Sequence, residues 1–118
     1  PGTDVWQTPA ETERLGRGDC EDLCIYLQDL LRRQGVSCEV VFGLKDRYRK
    51  NGHAWVELDL DGVRYIVEPS SGAFYRRDRL PDMLYIPADD IDIVAEKVAA
   101  YHARTGVWVN RRRCRSSN

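Results

Sequence analysis

The sequence has no long hydrophobic run; its uncharged apolar stretches are a few residues each, which excludes a membrane-spanning helix. It has almost no net charge either. Eighteen basic residues stand against 19 acidic ones, a balance of −1, so no global field draws the chain to nucleic acid or to an anionic membrane. No CxxC knuckle occurs, and the cysteines Cys20, Cys24, Cys38 and Cys114 are irregularly spaced. A disulfide framework is not expected, because a chain that builds its own core needs no such staples. A zinc set of Cys20, Cys24, Cys38 and His53 is formally possible, but structural zinc sites more often use short CxxC turns. No metal and no organic cofactor are therefore expected. Repeats, low-complexity tracts and a secretory signal are also missing.

What is present is an ordinary globular balance, 42% hydrophobic and 31% charged, over 118 residues. That length suits one domain over 1–118, able to bury roughly two-thirds of its unfolded surface. The first residue is Pro1 rather than Met, which suggests processing or excision from a longer chain. The compartment stays open, with a slight preference for the cytoplasm, and oligomeric state is not legible.

A short helix is expected after Trp6, with Thr8 as N-cap, Pro9 at the first position and Glu11 completing a capping box. Gly16 and Gly18 end it. From Asp19 to Gln34, the residues Cys20, Leu23, Cys24, Leu27, Leu30 and Leu31 draw one helical stripe, capped by Asp19 and stopped by Gly35. A strand follows near 37–44, then a basic loop over 45–52 that runs directly into His53 and would form a rim. His53 to Leu60 alternates as a strand, Asp61-Gly62 is a two-residue hairpin turn, and Val63 to Glu68 returns. Residues 70–81 read as loop, 83–86 as a short edge strand, and 88–104 as a helix with Ile91, Val94, Val98 and Tyr101 on one side. A last strand is expected at 106–110 and a frayed basic tail at 111–118. Helix, hairpin-joined strands and helix together predict an α+β fold with an antiparallel sheet.

With a two-residue turn, opposed residues of the hairpin sum to 123. Leu60, Leu58 and Val56 then face Val63, Tyr65 and Val67 on an apolar side. On the other side Trp55 meets Glu68 and His53 meets Ser70, so His53 and Glu68 are diagonal neighbours. A carboxylate beside an imidazole orients the ring and stabilises its protonated form, as a catalytic base requires. Cys20 opens its helix just after Gly18-Asp19, where unpaired N–H groups and the helix dipole favour a thiolate. Glu21 and Asp22 oppose that effect. Taken singly, each residue has a plainer reading: Cys20 as a small buried hydrophobe, His53 as structural, Glu68 as a strand-end carboxylate. Trp55 reads either as a wall of a substrate cleft or as a packed aromatic.

The blocks Trp6-x-Thr8-Pro9-x-Glu11, Gly18-Asp19-Cys20-Glu21-Asp22, Leu31-Arg32-x-x-Gly35-Val36, His53-Ala54-Trp55-Val56-Glu57 and Val67-Glu68-Pro69 carry a resemblance. Over residues 6–70 the chain resembles the transglutaminase-like superfamily, in particular its bacterial transglutaminase-like cysteine proteinase branch. The resemblance implies a papain-like fold, with a nucleophile helix packed on an antiparallel sheet. It implies Cys20 as nucleophile, His53 as general base and acid, and Glu68 in place of the family's usual aspartate. Trp6 or Gln7 would supply an oxyanion donor. The expected activity is acyl transfer on a peptide or protein amide through a thioester, hydrolytic as in a protease or amidase. A transglutaminase, and a binding module that kept the fold without the chemistry, are the alternatives.

Overall fold

The computed structural model describes residues 5–45, 52–81, 84–87 and 92–111. In chain order the described elements are α1 (Pro9–Leu15), α2 (Cys20–Arg33), β1 (Cys38–Lys45), β2 (His53–Leu60), β3 (Val63–Glu68), β4 (Ala73–Arg76), β5 (Tyr85–Pro87) and α3 (Asp92–Thr105). The strands form a five-stranded sheet in the order β4-β3-β2-β1-β5. Every neighbouring pair in it is antiparallel, so the fold is α+β, with α2 packed on an antiparallel sheet.

Both early helices begin with reciprocal caps. Thr8 Oγ1 accepts from the Glu11 N–H at 3.2 Å, and Glu11 Oε1 accepts from the Thr8 N–H at 2.8 Å. Asp19 and Asp22 repeat the arrangement at the head of α2, with both bonds at 3.1 Å. The other oxygen of Asp22 accepts from the Gln7 N–H at 2.8 Å, which ties the segment before α1 to the start of α2. Each such cap is worth about 1 kcal/mol. A side chain at Gly18 would put its Cβ 2.6 Å from that of Asp22, so only glycine allows this close approach.

The inner face of α2 keeps most of the apolar stripe, with Cys20, Leu27 and Leu31 packed against the core beside Cys24, but it is turned somewhat from it. Cys24, Ile25 and Gln28 are buried, whereas Leu30 is 41% exposed. The helix is turned because Gln28 has its partner inside: its Nε2 donates to the Asn110 carbonyl at 2.6 Å and its Oε1 accepts from the Asn110 N–H at 3.1 Å. A matched pair of hydrogen bonds makes a buried carboxamide tolerable where periodicity alone would place leucine.

The central hairpin keeps the expected register, Leu60 opposite Val63, Leu58 opposite Tyr65 and Val56 opposite Val67. Asp61 and Gly62 both have positive φ, 52° and 79°, the turn geometry whose twist matches paired strands. One face of the sheet (Val40, Phe42, Ala54, Val56 and Leu58) packs under α2, α3 and Trp6. The opposite face gathers Val41, Trp55, Ile66 and Tyr85 into a smaller cluster.

Three expectations are corrected. Residues 70–81 are not simply loop: they hold β4 and a single 3-10 turn at Arg77–Arg79, and Phe74 of β4 stacks on Tyr65 with ring centroids 4.9 Å apart. The edge strand is Tyr85–Pro87 and lies beside β1. Residues 106–110 form no ladder; one parallel bridge joins Val40 to Arg111, with the Val40 N–H donating to the Asn110 carbonyl at 2.8 Å, and the segment's other polar groups bond to Gln28, Arg32 and the Cys38 carbonyl. In α3, Val94, Val98 and Tyr101 are buried as expected. Ile91, loop residues 46–51 and tail residues 112–118 lie outside the described residues.

Candidate active site

The site is assembled at one end of the sheet. His53 is the first residue of β2, Glu68 the last of β3, Lys45 the last of β1 and Tyr85 the first of β5. Gly43 pairs with His53 and Lys45 with Tyr85, so strand alternation sets Gly43, Lys45 and His53 on one face. The side chains converge on Glu68, which is 2% exposed. Its Oε1 accepts from His53 Nε2 at 2.8 Å. Its Oε2 accepts from the Tyr85 hydroxyl at 2.7 Å and from Lys45 Nζ at 2.8 Å. Burial works against the charged carboxylate, but the bonds from His53, Lys45 and Tyr85 outweigh it and hold Glu68 down to about 2. The Tyr85 hydroxyl is pushed the other way, first by burial and then by its bond to that carboxylate.

Committing Nε2 to Glu68 leaves Nδ1 as the free nitrogen of His53. Trp55 lies beneath, its ring centroid 6.1 Å from the imidazole's and 5.0 Å from that of Tyr85. It is wholly buried and donates from Nε1 to Glu57 Oε2 at 2.9 Å, which favours the packed aromatic of the two readings.

Cys20 is the first residue of α2 and is half-buried. The backbone N–H of Ala54, the residue after His53, faces its sulfur and favours the thiolate. Two stronger influences run the other way. Burial first, and then the Glu21 carboxylate, push the Cys20 thiol up to about 12. Sγ donates to Glu21 Oε2 at 3.3 Å, so at rest the thiol is paired with Glu21 rather than with His53. The dipole of α2 does not prevail because burial, Glu21 and, less strongly, Asp19 all oppose the thiolate. One turn on, Cys24 is buried and its thiol is held up mainly by that burial.

The two oxyanion candidates are placed differently. Trp6 is 3% exposed and stacks on Phe42 at 5.6 Å with an interplanar angle of 8°, while its Nε1 is buried without a hydrogen-bond partner. Gln7 is half-buried; its Oε1 accepts from Thr12 Oγ1 at 2.9 Å, which orients the carboxamide, and among the described residues its Nε2 is unspent. Gln7 Oε1 also lies 3.1 Å from the position a Cβ on Gly18 would take, so the carboxamide sits against the glycine that precedes the Asp19-Cys20 step.

Cys20, Cys24 and Cys38 are free thiols. Among the described residues, no group of three or more His, Cys, Asp or Glu side chains is arranged to hold a metal ion. The four-residue zinc set is dispersed: Cys20 turns to Glu21, His53 to Glu68, and Cys38 to the Gln28 carbonyl at 3.9 Å. Lys45 and Tyr85 were not singled out by the sequence. The signal lay in the register across β1, which aligns both with His53, and it needs a strand end and an edge strand to be drawn correctly.

An α+β domain in which a helix-opening cysteine faces the N–H of the residue after a histidine, itself bonded to a buried carboxylate, has the form of a peptidase-like domain. The chain belongs to the CEP76 peptidase-like domain family, which matches residues 4–112. No curated protein and no solved structure matches it. The family agrees with the peptidase-like part of the resemblance and does not extend to its bacterial branch.

Proposed function

We propose that this domain is a cysteine-dependent acyl-transfer enzyme acting on a peptide or protein amide, most simply by hydrolysis. The observation that carries the proposal is the His53–Glu68 bond at 2.8 Å, made at the strand end where the Ala54 N–H faces the Cys20 sulfur. Cys20 passes its proton to Nδ1 of His53 as the sulfur attacks the substrate carbonyl. The oxyanion accepts from the Gln7 Nε2–H and from the Cys20 N–H at the helix start. The C–N bond then breaks, His53 returns the proton to the departing amine, and a thioester remains. Water attacks the thioester, its proton goes to His53, and the C–S bond breaks to release the acid and restore the thiol. Glu68 keeps the imidazole oriented throughout, in the place the transglutaminase-like superfamily gives to aspartate. A primary amine in place of water makes the same thioester a transamidation intermediate.

One observation favours a second reading, a binding module with the same fold. The resting thiol is held by Glu21 and pushed up to about 12, the reverse of a thiolate prepared for attack. Incubation with a mixed peptide library, with and without an added primary amine, separates the readings by mass spectrometry. Peptides shortened by wild type and left intact by C20A and H53A support hydrolysis. Amine joined to glutamine side chains moves the assignment to transamidation. Retention of peptides without any change in mass supports the module and overturns the enzyme.

A further inference from the structure

We propose that Lys45 and Tyr85 are positioning residues that hold the far oxygen of Glu68, and that the Lys45 ammonium takes up its charge, so that the Cys20–His53 pair rests as a neutral thiol beside a neutral imidazole. The inference rests on the acyl-transfer reading and adds the protonation state from which that reaction starts.

The geometry divides the carboxylate cleanly. Among the described residues, one oxygen meets His53 alone, at 2.8 Å, and the other meets Lys45 and Tyr85, at 2.8 and 2.7 Å. Lys45 Nζ also sits 5.8 Å from the centroid of the Tyr85 ring, so the ammonium is steadied from a second direction. A buried carboxylate needs one compensating positive charge. If His53 were its only partner, that charge would come from protonating the imidazole. Lys45 supplies it instead, and His53 keeps Nε2–H as a neutral donor with Nδ1 free to accept.

The other groups around the site point the same way. Around Glu68 stand Lys45 from β1, His53 from β2, Tyr85 from β5 and the buried Cys24 thiol from α2, of which only Lys45 carries a fixed positive charge. Tyr75 of β4 is near enough to act on Tyr85. Around Cys20 stand Asp19, Glu21 and the Ala54 N–H, and after burial the Glu21 carboxylate is the largest influence on its thiol. A thiol bonded to Glu21 is what a neutral partner leaves behind. Proton transfer is then coupled to attack, as in a general-base mechanism, rather than completed before substrate arrives.

The test compares wild type with K45M, K45Q, K45R and Y85F. The imidazole resonances of His53 are followed against pH by NMR, with His102 the only other histidine to assign. Cys20 alkylation by iodoacetamide is followed in parallel by peptide mass spectrometry. With the charge removed, in K45M or K45Q, the His53 titration moves to higher pH and alkylation near neutral pH quickens about tenfold. K45R restores both to within about twofold of wild type. Y85F moves them in the same direction by less, since it removes a dipole rather than a charge. If K45M fails to fold, K45Q carries the comparison, because it keeps a hydrogen-bond donor without the charge. Titrations of K45M or K45Q that superimpose on wild type overturn the inference. The readouts need no turnover, so a protein without activity but with a shifted titration would sink the acyl-transfer reading alone.

Discussion

Gln28 and Asn110 hold each other through two hydrogen bonds, 2.6 and 3.1 Å, across 82 residues of sequence. The Asn110 side chain extends the link by donating from Nδ2 to the Cys38 carbonyl at 2.6 Å, so α2, the start of β1 and the segment after α3 are closed into one polar seam.

Replacing Gln28 by alanine leaves the Asn110 N–H without its partner and the Asn110 carbonyl with the Val40 N–H alone, and it empties the buried space the carboxamide filled. We expect Q28A to lose about 2–3 kcal/mol of stability, read from urea denaturation. Leu30, exposed on the same helix, should tolerate L30A within about 0.5 kcal/mol. Reversal of that order would contradict the observed rotation of α2.

Glu21 is the carboxylate that accepts from the Cys20 thiol. E21Q removes its charge but leaves burial, the larger influence, in place. Alkylation of Cys20 at mildly alkaline pH should quicken by about threefold to tenfold, with the far-ultraviolet circular dichroism spectrum unchanged. An unchanged rate would mean that Glu21 does not restrain the thiol.

Gln7 and Trp6 offer different donors, and their variants should part company. Q7A is expected to lose about a hundredfold in turnover, the usual loss when one oxyanion donor is removed, and about 1–2 kcal/mol of stability, because the buried Thr12 hydroxyl loses its acceptor. W6F keeps the stack on Phe42 and deletes an indole N–H that has no partner in the fold, so turnover should stay within a few-fold and stability within about 1 kcal/mol. A large turnover loss in W6F with intact folding would move the oxyanion role to Trp6.

Glu68 makes the domain sensitive to acid. Its folded value lies near 2, below the ordinary 4.5, so the stabilisation is fully present above about pH 4.5 and is lost as pH falls from there toward 2. Denaturation midpoints measured over that window should fall steeply in wild type. In E68Q they should start lower and fall less. Parallel curves would show that other carboxylates govern the acid transition.

Much of this was legible in sequence wherever local chemistry and long-range pairing agreed. The capping box at Thr8 and the N-cap at Asp19 declared both early helices. The Asp61-Gly62 turn fixed a register in which His53 and Glu68 had to be neighbours. The failures came where tertiary partners overrode local pattern. Gln28 sits inside because Asn110 meets it there, and nothing near Gln28 in sequence announces Asn110. The short β4 was concealed by its length and by the arginines around Phe74-Tyr75, and it is stabilised by the Tyr65–Phe74 stack, visible only once strands pair. Lys45 and Tyr85 escaped for a related reason. One closes a strand, the other opens an edge strand, and element ends are where periodic patterns say least.

Tyr85 belongs to the shortest strand of the sheet, paired on one side only, and three residues carry its ladder to β1. Edge segments of that kind open in local fluctuations well before a domain unfolds as a whole. Each opening would lift the phenol from Glu68 and let water reach the carboxylate. Catalytic competence should therefore fade on warming before the global transition begins, and the Tyr85 and Ile86 amides should exchange with solvent ahead of those of β2.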